Sequence, residues 1–434
     1  MEEASKQTDL NDYELGILRL LKKNLYNFFK LPPEFVKEYA KVTNEGMVAW
    51  REAKDKNRYD IFSPFLKKII DLSIKQAEYL GYDNHPYDAL LDNYEEDLKT
   101  SDVEKYFESI KPTLVEVLKY IKQSKKYTSR IHPLEKETYN EAELEKLNYK
   151  VLEHFNYDKN NLRLDRSAHP FSQGINTKDV RITTRYLGRD FGATISGTIH
   201  EFGHALYDMQ TDDSFDFTPI SNAVSLVLHE SQSRFWENMV GRNLEFLRVM
   251  LPKIKRLGDN YKNYSLTDYY RYFNKVKPSL IRVKADEVTY HFHIMIRFEI
   301  EKMMIERKVD VKDLPEIWNS KYREYLGIKP KNYGEGILQD IHWSMGAIGY
   351  FPTYSMGTVL SAFWAKKIEE EVGNISKLVK TSEGIKKIQK WLKENVHQYG
   401  PTYTVKDLLK KKFNTEFSVE YWKEYIREKY MELY

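Results

Sequence analysis

The chain has 434 residues, of which 41% are hydrophobic and 31% charged, with only 19 glycines and 14 prolines. This composition excludes disordered and fibrous proteins and is typical of a globular, helix-rich one. Its 68 basic and 65 acidic residues are mixed along the chain, so the net charge of +3 is not gathered into the basic stripe that nucleic acids select. We therefore expect no nucleic-acid partner.

The sequence contains no cysteine. Disulfides, thiolate metal ligands and a cysteine nucleophile are thereby excluded, and a metal ion would have to be held by histidines and carboxylates. No apolar run approaches the roughly 18 residues of a membrane span, and the polar, acidic start of the chain lacks the apolar core of a signal peptide. We expect a cytoplasmic protein that does not bind a membrane.

Hydrophobic periodicity predicts a mainly α protein. Residues 10–160 carry successive helical patterns, and Asp179–Tyr186 alternates with the period of a strand. Helical periodicity resumes over Ile195–Met209, Val224–Val240 and Tyr290–Ile305. Most of the remaining chain also follows a helical pattern.

The domain prediction is a single unit. The sequence has no internal repeat and no Pro/Gly/Ser-rich linker that would separate a second domain. We therefore predict one mainly helical domain over residues 1–434, with a helical cover at 1–160 and a catalytic core at 161–434.

The segment from His200 to His204 has the HExxH pattern and lies within one of the predicted helices. Its two histidines are one turn apart on the same helix face, so both can bind one ion. With 11 histidines in the chain, a chance match has a probability on the order of a few per cent. The alternative is that both are hydrogen-bonded polar residues on a buried helix.

Glu230 is the candidate third ligand. It lies 26 residues after His204, on the following predicted helix, and it follows the mostly apolar run Val224–Leu228. A buried carboxylate there carries a desolvation cost that a cation removes, and a catalytic zinc site needs three protein ligands and an open position. The alternative is an ion pair with Arg234, four residues on.

Glu201 is the candidate catalytic base. It follows His200 by about 100° of helix rotation, which can direct its carboxylate to the water on the metal instead of to the metal itself. Asp208, one turn after His204, could orient a ligand imidazole, although a solvated position is the commoner one for such an Asp.

Several separated motifs occur together in a fixed order along the chain. They are His85–Asp92, His169–Phe171, Asp179–Thr183, His200–His204, His229–Gln232, Ile281–Tyr290, Ile337–Trp343 and Gly349–Tyr354. In these motifs the sequence resembles the carboxypeptidase Taq family of metallocarboxypeptidases from about Leu31 to near the C-terminus. The portion ahead of the HExxH pattern is shorter than is usual in that family.

The resemblance implies a large helical domain with a deep central groove and a small β-sheet beside the metal-binding helix. It implies a homodimer that binds one divalent ion per subunit, zinc or alternatively cobalt or manganese. His200, His204 and Glu230 match the family's metal ligands, and Glu201 matches its general base. The implied activity is the removal of single residues, with broad specificity, from peptides with a free C-terminal carboxylate.

The resemblance also implies substrate contacts. Arg282 matches the residue that pairs with the terminal carboxylate, a role that suits the guanidinium fork; a plain ion-pair arginine is the alternative. His169, Arg181 and His342 belong to motifs that line the groove. Tyr350 or Tyr354 could stabilise the oxyanion, and either could equally be a core aromatic residue.

The predicted mechanism is direct attack by a metal-activated water, without an acyl-enzyme. Two alternatives remain open. One is an endopeptidase or oligopeptidase of the same helical fold, which needs no carboxylate anchor, and the other is a catalytically silent peptide-binding protein.

Overall fold

The computed structural model describes residues 3–218, residue 221 and residues 225–434. The chain is mainly helical, as predicted. Its α-helices are α1 (Asp12–Lys30), α2 (Pro33–Lys56), α3 (Tyr59–Leu80), α4 (Pro86–Leu91), α5 (Thr100–Gln123), α6 (Pro133–Lys136), α7 (Glu141–His154), α8 (Phe191–Gln210), α9 (Leu226–Arg234), α10 (Leu244–Ile254), α11 (Leu266–Phe273), α12 (Tyr290–Ile305), α13 (Leu314–Leu326), α14 (Phe351–Glu371), α15 (Ile375–Leu378), α16 (Ser382–Asn395), α17 (Val405–Phe413) and α18 (Glu420–Leu433).

The backbone contacts divide the chain into two compact units. Unit 1 consists of Met1–Leu20, Lys125–Lys275 and Met356–Tyr434, and unit 2 of Leu21–Ser124 and Val276–Ser355. Each unit is assembled from separated stretches, so neither coincides with the predicted ranges 1–160 and 161–434. The single domain and the central groove remain predictions.

Unit 1 contains a three-stranded sheet in the order β1 (Leu162–Arg166), β3 (Asp179–Thr184), β2 (Ser172–Asn176). The central strand β3 runs parallel to β1 and antiparallel to β2. The predicted strand Asp179–Tyr186 is thus confirmed except for its last two residues. Helix α8 packs against β2 and β3, so the small sheet lies beside the helix that carries the HExxH pattern.

Helix α8 has the apolar stripe that the sequence predicts, with Ile195, Ile199, Phe202 and Leu206 all buried. Its backbone crosses α9 at Gly203, where a Cβ would lie 2.6 Å from both the carbonyl oxygen of Gln232 and the Cα of Ser233. Real Cβ atoms do not approach backbone atoms so closely, so the crossing requires glycine at position 203.

The predicted helix Val224–Val240 forms in two parts. After α9 the backbone continues as a π-helical segment, Phe235–Gly241, instead of an α-helix. Val224 itself lies outside the described residues. Because π-helical hydrogen bonds join residues five apart, the segment changes which side chains share a face.

Helix α12 forms the buried centre of unit 2, and the prediction of a helix over Tyr290–Ile305 is confirmed. Its Glu301 is fully buried and accepts hydrogen bonds from the Tyr87 hydroxyl, from Nε1 of Trp343 (2.7 Å) and from the backbone nitrogen of Gly349 (2.9 Å). These bonds fix the segment that follows His342. Among the helices of the described residues, none is long and apolar enough to cross a membrane.

The crossing at Gly203 generates a prediction about stability. Gly203→Ala should lower the free energy of unfolding by about 1–3 kcal/mol, because α8 and α9 must move apart to admit the methyl group. Gly197→Ala is the matched control on the same helix: its Cβ would meet only Pro170, at 3.7 Å, so we expect equal or higher stability. Urea denaturation measures both, and equal stability of the two variants would contradict the role of Gly203.

Candidate active site

Three side chains of unit 1 converge as a candidate metal site. One ligand atom each from His200, His204 and Glu230 can be chosen so that all lie within 4.8 Å of one another. Glu230 Oε2 lies 3.7 Å from Nε2 of His200 and 3.5 Å from Nε2 of His204. Zinc bonds of about 2.1 Å in a tetrahedral site separate neighbouring donors by about 3.4 Å, so this set of donors fits a divalent ion.

The helix crossing brings these donors together. His200 and His204 are one turn apart on α8. Glu230 belongs to α9, which can approach α8 closely because position 203 is a glycine. Gly357 on α14 covers Glu230 from another side, since a Cβ there would lie 2.8 Å from Cβ of Glu230 and 2.9 Å from its Cγ. The glutamate is thereby held in a buried position.

The two oxygens of Glu230 have different partners. Arg234 Nε donates to Oε1 at 2.7 Å, and Ser233 Oγ donates to Oε2 at 3.0 Å. The ion pair with Arg234, which was the alternative to a metal ligand, is therefore present. It occupies Oε1, however, while Oε2 is the oxygen that faces both imidazoles, so the two roles are compatible.

The outer nitrogen of His200 faces a second carboxylate. Nδ1 of His200 lies 3.0 Å from Oε2 of Glu237, which also accepts from Nη1 of Arg234 at 3.2 Å, and Arg242 donates to the other oxygen. Glu237 and Arg242 are five residues apart and share a face because the backbone here is π-helical. Because α-helical spacing does not place residues five apart on one face, this pair is not predicted from the sequence.

The outer nitrogen of His204 faces another histidine. Nδ1 of His204 is hydrogen-bonded to Nδ1 of His229, whose Nε2 lies 3.0 Å from Oδ1 of Asp208. Asp208 was expected in a solvated position, but its carboxylate contacts this ring. The only sequence signal for His229 was its place in the motif His229–Gln232.

Burial and charge shift the pKa values of these groups. Burial lowers the pKa of His204 to about 4, which leaves this imidazole neutral at physiological pH. Burial alone would raise the pKa of Glu230, but Arg234 and His200 outweigh it and hold the pKa well below its usual range. Glu201, which is 7% exposed, has its pKa raised to about 7 by burial.

A second cluster of candidate residues lies in unit 2. Nε of Arg282 donates to Oδ1 of Asp340 at 3.0 Å, and Nε of Arg297 donates to Oδ2 of the same carboxylate at 2.8 Å. Nη1 of Arg282 also donates to the hydroxyl of Tyr290 at 3.1 Å. Both guanidiniums are buried and share one counter-ion, which the sequence analysis did not identify.

Aromatic rings surround this cluster. The Arg282 guanidinium lies 4.9 Å from the ring centroid of Tyr354, and Nε2 of His342 lies 3.2 Å from the Tyr354 hydroxyl. The Tyr350 ring lies 5.4 Å from that of His342 and 5.1 Å from that of Tyr354. Burial, followed by the charge of Arg282, lowers the pKa of His342 to about 3. Four of the six predicted substrate-binding residues are thus brought together.

The other two, His169 and Arg181, belong to the sheet region of unit 1. His169 is exposed, and its neighbour Pro170 lies against Gly197 of α8, so the motif His169–Phe171 runs beside the HExxH helix. Arg181 forms two hydrogen bonds with Asp179, at 2.9 and 2.8 Å, and its side chain is 41% exposed. In the described part of the chain, none of the recorded contacts joins either residue to the three ligands.

Comparison with known proteins identifies the family. The family model of the carboxypeptidase Taq (M32) metallopeptidases matches residues 1–430. Thermostable carboxypeptidase 1 of Pyrococcus furiosus is 47% identical over 99% of this chain and 86% of its own length. Carboxypeptidase 1 of Bacillus subtilis is 38% identical over 98% of this chain and 85% of its own.

Comparison with solved structures gives the same family. A Pyrococcus furiosus carboxypeptidase structure superposes with a TM-score of 0.96 at 47% identity, covering 99% of this chain and 86% of that one. The M32 carboxypeptidase of Deinococcus radiodurans R1 superposes with a TM-score of 0.94 at 30% identity, covering 100% of this chain and 86% of that one. The chain therefore belongs to the carboxypeptidase Taq (M32) family, acts on peptides and is a metallocarboxypeptidase.

Proposed function

We propose that peptide bonds are cleaved at His200, His204 and Glu230, which hold one divalent ion, with Glu201 as the general base. The convergence of two imidazole nitrogens and one carboxylate oxygen beside a buried glutamate carries this proposal. Zinc suits this donor set best, with cobalt and manganese as alternatives. A bound ion of this kind supplies Lewis acidity, which lowers the pKa of a water towards about 7 and polarises a carbonyl.

The protein's own groups complete the chemistry. Glu201 accepts a proton from the attacking water and passes it to the departing amine, so no acyl-enzyme forms. Arg234 holds Oε1 of Glu230 and leaves Oε2 for the ion. Burial of the site limits competing water around the charges that develop.

We further propose that Arg282 recognises the free C-terminal carboxylate of the substrate. Its Nε is occupied by Asp340, whereas each terminal nitrogen makes one recorded contact among the described residues and retains a further N–H bond. Those two N–H bonds could take a carboxylate through parallel hydrogen bonds. Tyr350 and Tyr354 are candidate donors to the oxyanion, and His169, Arg181 and His342 are candidate contacts along the peptide.

The broader setting is also proposed. Broad specificity, a homodimer and a cytoplasmic location follow from the resemblance and the composition, as does the lack of a nucleic-acid partner. Sedimentation velocity would test the dimer: a chain that sediments as a monomer at micromolar concentration contradicts it. Metal analysis of protein purified without added ions tests the assignment of zinc.

The first prediction concerns the metal and the products. Chelator-treated protein should not cleave a peptide with a free carboxylate, and added zinc or cobalt should restore cleavage. Mass spectrometry should show stepwise loss of single C-terminal residues. Internal fragments, particularly from a C-terminally amidated peptide, would favour the oligopeptidase alternative, and absence of cleavage with every divalent ion would favour the peptide-binding protein.

The second prediction concerns the base. Glu201→Gln should lower kcat by about 10²–10⁴-fold, because the amide cannot accept the water's proton. Affinity for zinc should stay near that of the wild type, since this side chain is not a proposed ligand. Glu143→Gln, at a partly exposed position on α7, is the control and should retain full activity. A folded, zinc-loaded Glu201→Gln protein with normal turnover would rule out the proposed base.

The third prediction concerns recognition of the carboxylate. Arg282→Lys should lower kcat/KM for a free-carboxylate peptide by about 10–100-fold, because lysine cannot make two parallel hydrogen bonds. Slow cleavage of the matching amidated peptide should be unaffected. Arg248→Lys, at an exposed position, controls for loss of a guanidinium elsewhere. An equal loss on both substrates would indicate a structural role for Arg282.

A further inference from the structure

The proposed metal site raises the question of what fixes its two imidazoles. A neutral imidazole carries one proton and can place it on either nitrogen, but it binds a metal through the nitrogen without the proton. In both candidate ligands Nε2 is the nitrogen that faces Oε2 of Glu230. Each ring therefore needs its proton on Nδ1, and the groups that contact Nδ1 decide whether it is there.

For His200 the deciding group is Glu237. Its carboxylate oxygen lies 3.0 Å from Nδ1, and Arg234 and Arg242 bind the same carboxylate. A carboxylate held between two guanidiniums accepts hydrogen bonds and has no proton to donate. The proton shared with His200 must therefore reside on Nδ1, so Nε2 is the nitrogen through which this ring can bind an ion.

For His204 the position of the ring proton is decided by Asp208, which acts through the ring of His229. Oδ1 of Asp208 is 3.0 Å from Nε2 of His229, so the carboxylate accepts the proton of that nitrogen. When His229 carries its ring proton on Nε2, its Nδ1 is the acceptor, and it faces Nδ1 of His204. In this arrangement His204 donates there, and its Nε2 is left free of a proton. The opposite arrangement would direct the lone pair of His229 Nε2 at a carboxylate oxygen, which is repulsive.

We propose that Asp208, His229 and Glu237 are positioning residues that hold His200 and His204 as Nδ1–H tautomers with Nε2 ready to bind the ion. The inference rests on the proposed metal site. The two ligands differ in this respect: His200 donates to a carboxylate directly, whereas His204 donates to a second imidazole, which Asp208 orients. The carboxylate of Asp208 is thus separated from His204 by the ring of His229, and the Asp208 side chain is 24% exposed.

Metal affinity of the chelator-treated protein tests the proposal without reference to catalysis. Zinc titration against a chromophoric chelator should show His229→Leu binding zinc about 10–100-fold more weakly than the wild type, because Nδ1 of His204 loses its acceptor. Glu237→Leu should show a loss of similar size. His229→Gln should recover part of the affinity, since the amide oxygen can accept from His204.

His154→Gln is the matched control. It replaces another part-buried histidine of unit 1, whose Nε2 lies 2.8 Å from the carbonyl oxygen of Val379, and it should leave zinc affinity unchanged. Urea denaturation of each chelator-treated variant separates weakened binding from loss of folding. If His229→Leu and Glu237→Leu fold and bind zinc like the wild type, the positioning role is wrong.

A spectroscopic measurement covers variants that fail to fold. Two-bond ¹H–¹⁵N correlation spectra of the histidine-labelled, zinc-loaded wild type should show a proton on Nδ1 of His200 and His204 and on Nε2 of His229. Zinc bound through Nδ1 of either ligand would overturn the proposal. Glu230→Ala in the same titration tests the underlying site: unchanged zinc affinity there would reject the metal site itself, whereas a weakened Glu230→Ala with normal His229→Leu would reject the positioning residues alone.

Discussion

The crossing of α8 and α9 at Gly203 is the constraint on which the candidate metal site depends. Two histidines one turn apart define an edge of the site but leave the third donor free to lie anywhere around it. The absence of a side chain at position 203 lets the backbone of Gln232 and Ser233 approach α8 directly, and Glu230, two residues earlier on α9, is thereby placed opposite both imidazoles. Packing of backbone on backbone thus sets the distances between the donors.

The same crossing buries charged side chains, and their ion-pair partners determine which ligand the site can bind. Removing one member of a buried ion pair leaves the other charge buried and unpaired, which destabilises the fold by several kcal/mol. Arg234 contacts both Glu230 and Glu237, which couples a proposed ligand to the group that contacts His200. Arg234 binds Oε1 of Glu230, and the other oxygen, Oε2, is the one that faces the imidazoles.

Much of this arrangement follows from sequence. Helical periodicity predicted α8 and α12, and residue spacing with burial suggested Glu230, because these inferences use only the geometry of a regular α-helix. Glu237 and Arg242 were missed because the helix becomes π-helical after Arg234, and nothing in the local sequence announces that change. Tertiary contacts also decide where His229 and Asp208 lie. The assembly of each unit from separated stretches depends on contacts between residues that are far apart in sequence.

Each cluster contains buried guanidinium–carboxylate pairs, and the proposed function assigns a different ligand to each. In unit 1 the guanidinium of Arg234 is divided between the carboxylates of Glu230 and Glu237, and Arg242 also binds Glu237. Oε2 of Glu230 is the oxygen that faces the imidazoles. In unit 2 one carboxylate, that of Asp340, is divided between the guanidiniums of Arg282 and Arg297, which leaves guanidinium capacity for an anion. Glu301 follows Arg297 by one turn, but its recorded hydrogen bonds go to uncharged donors instead. A metallocarboxypeptidase has to bind both a metal cation and a terminal carboxylate, and under the proposed function the buried carboxylate of Glu230 serves the first and the buried guanidinium of Arg282 serves the second.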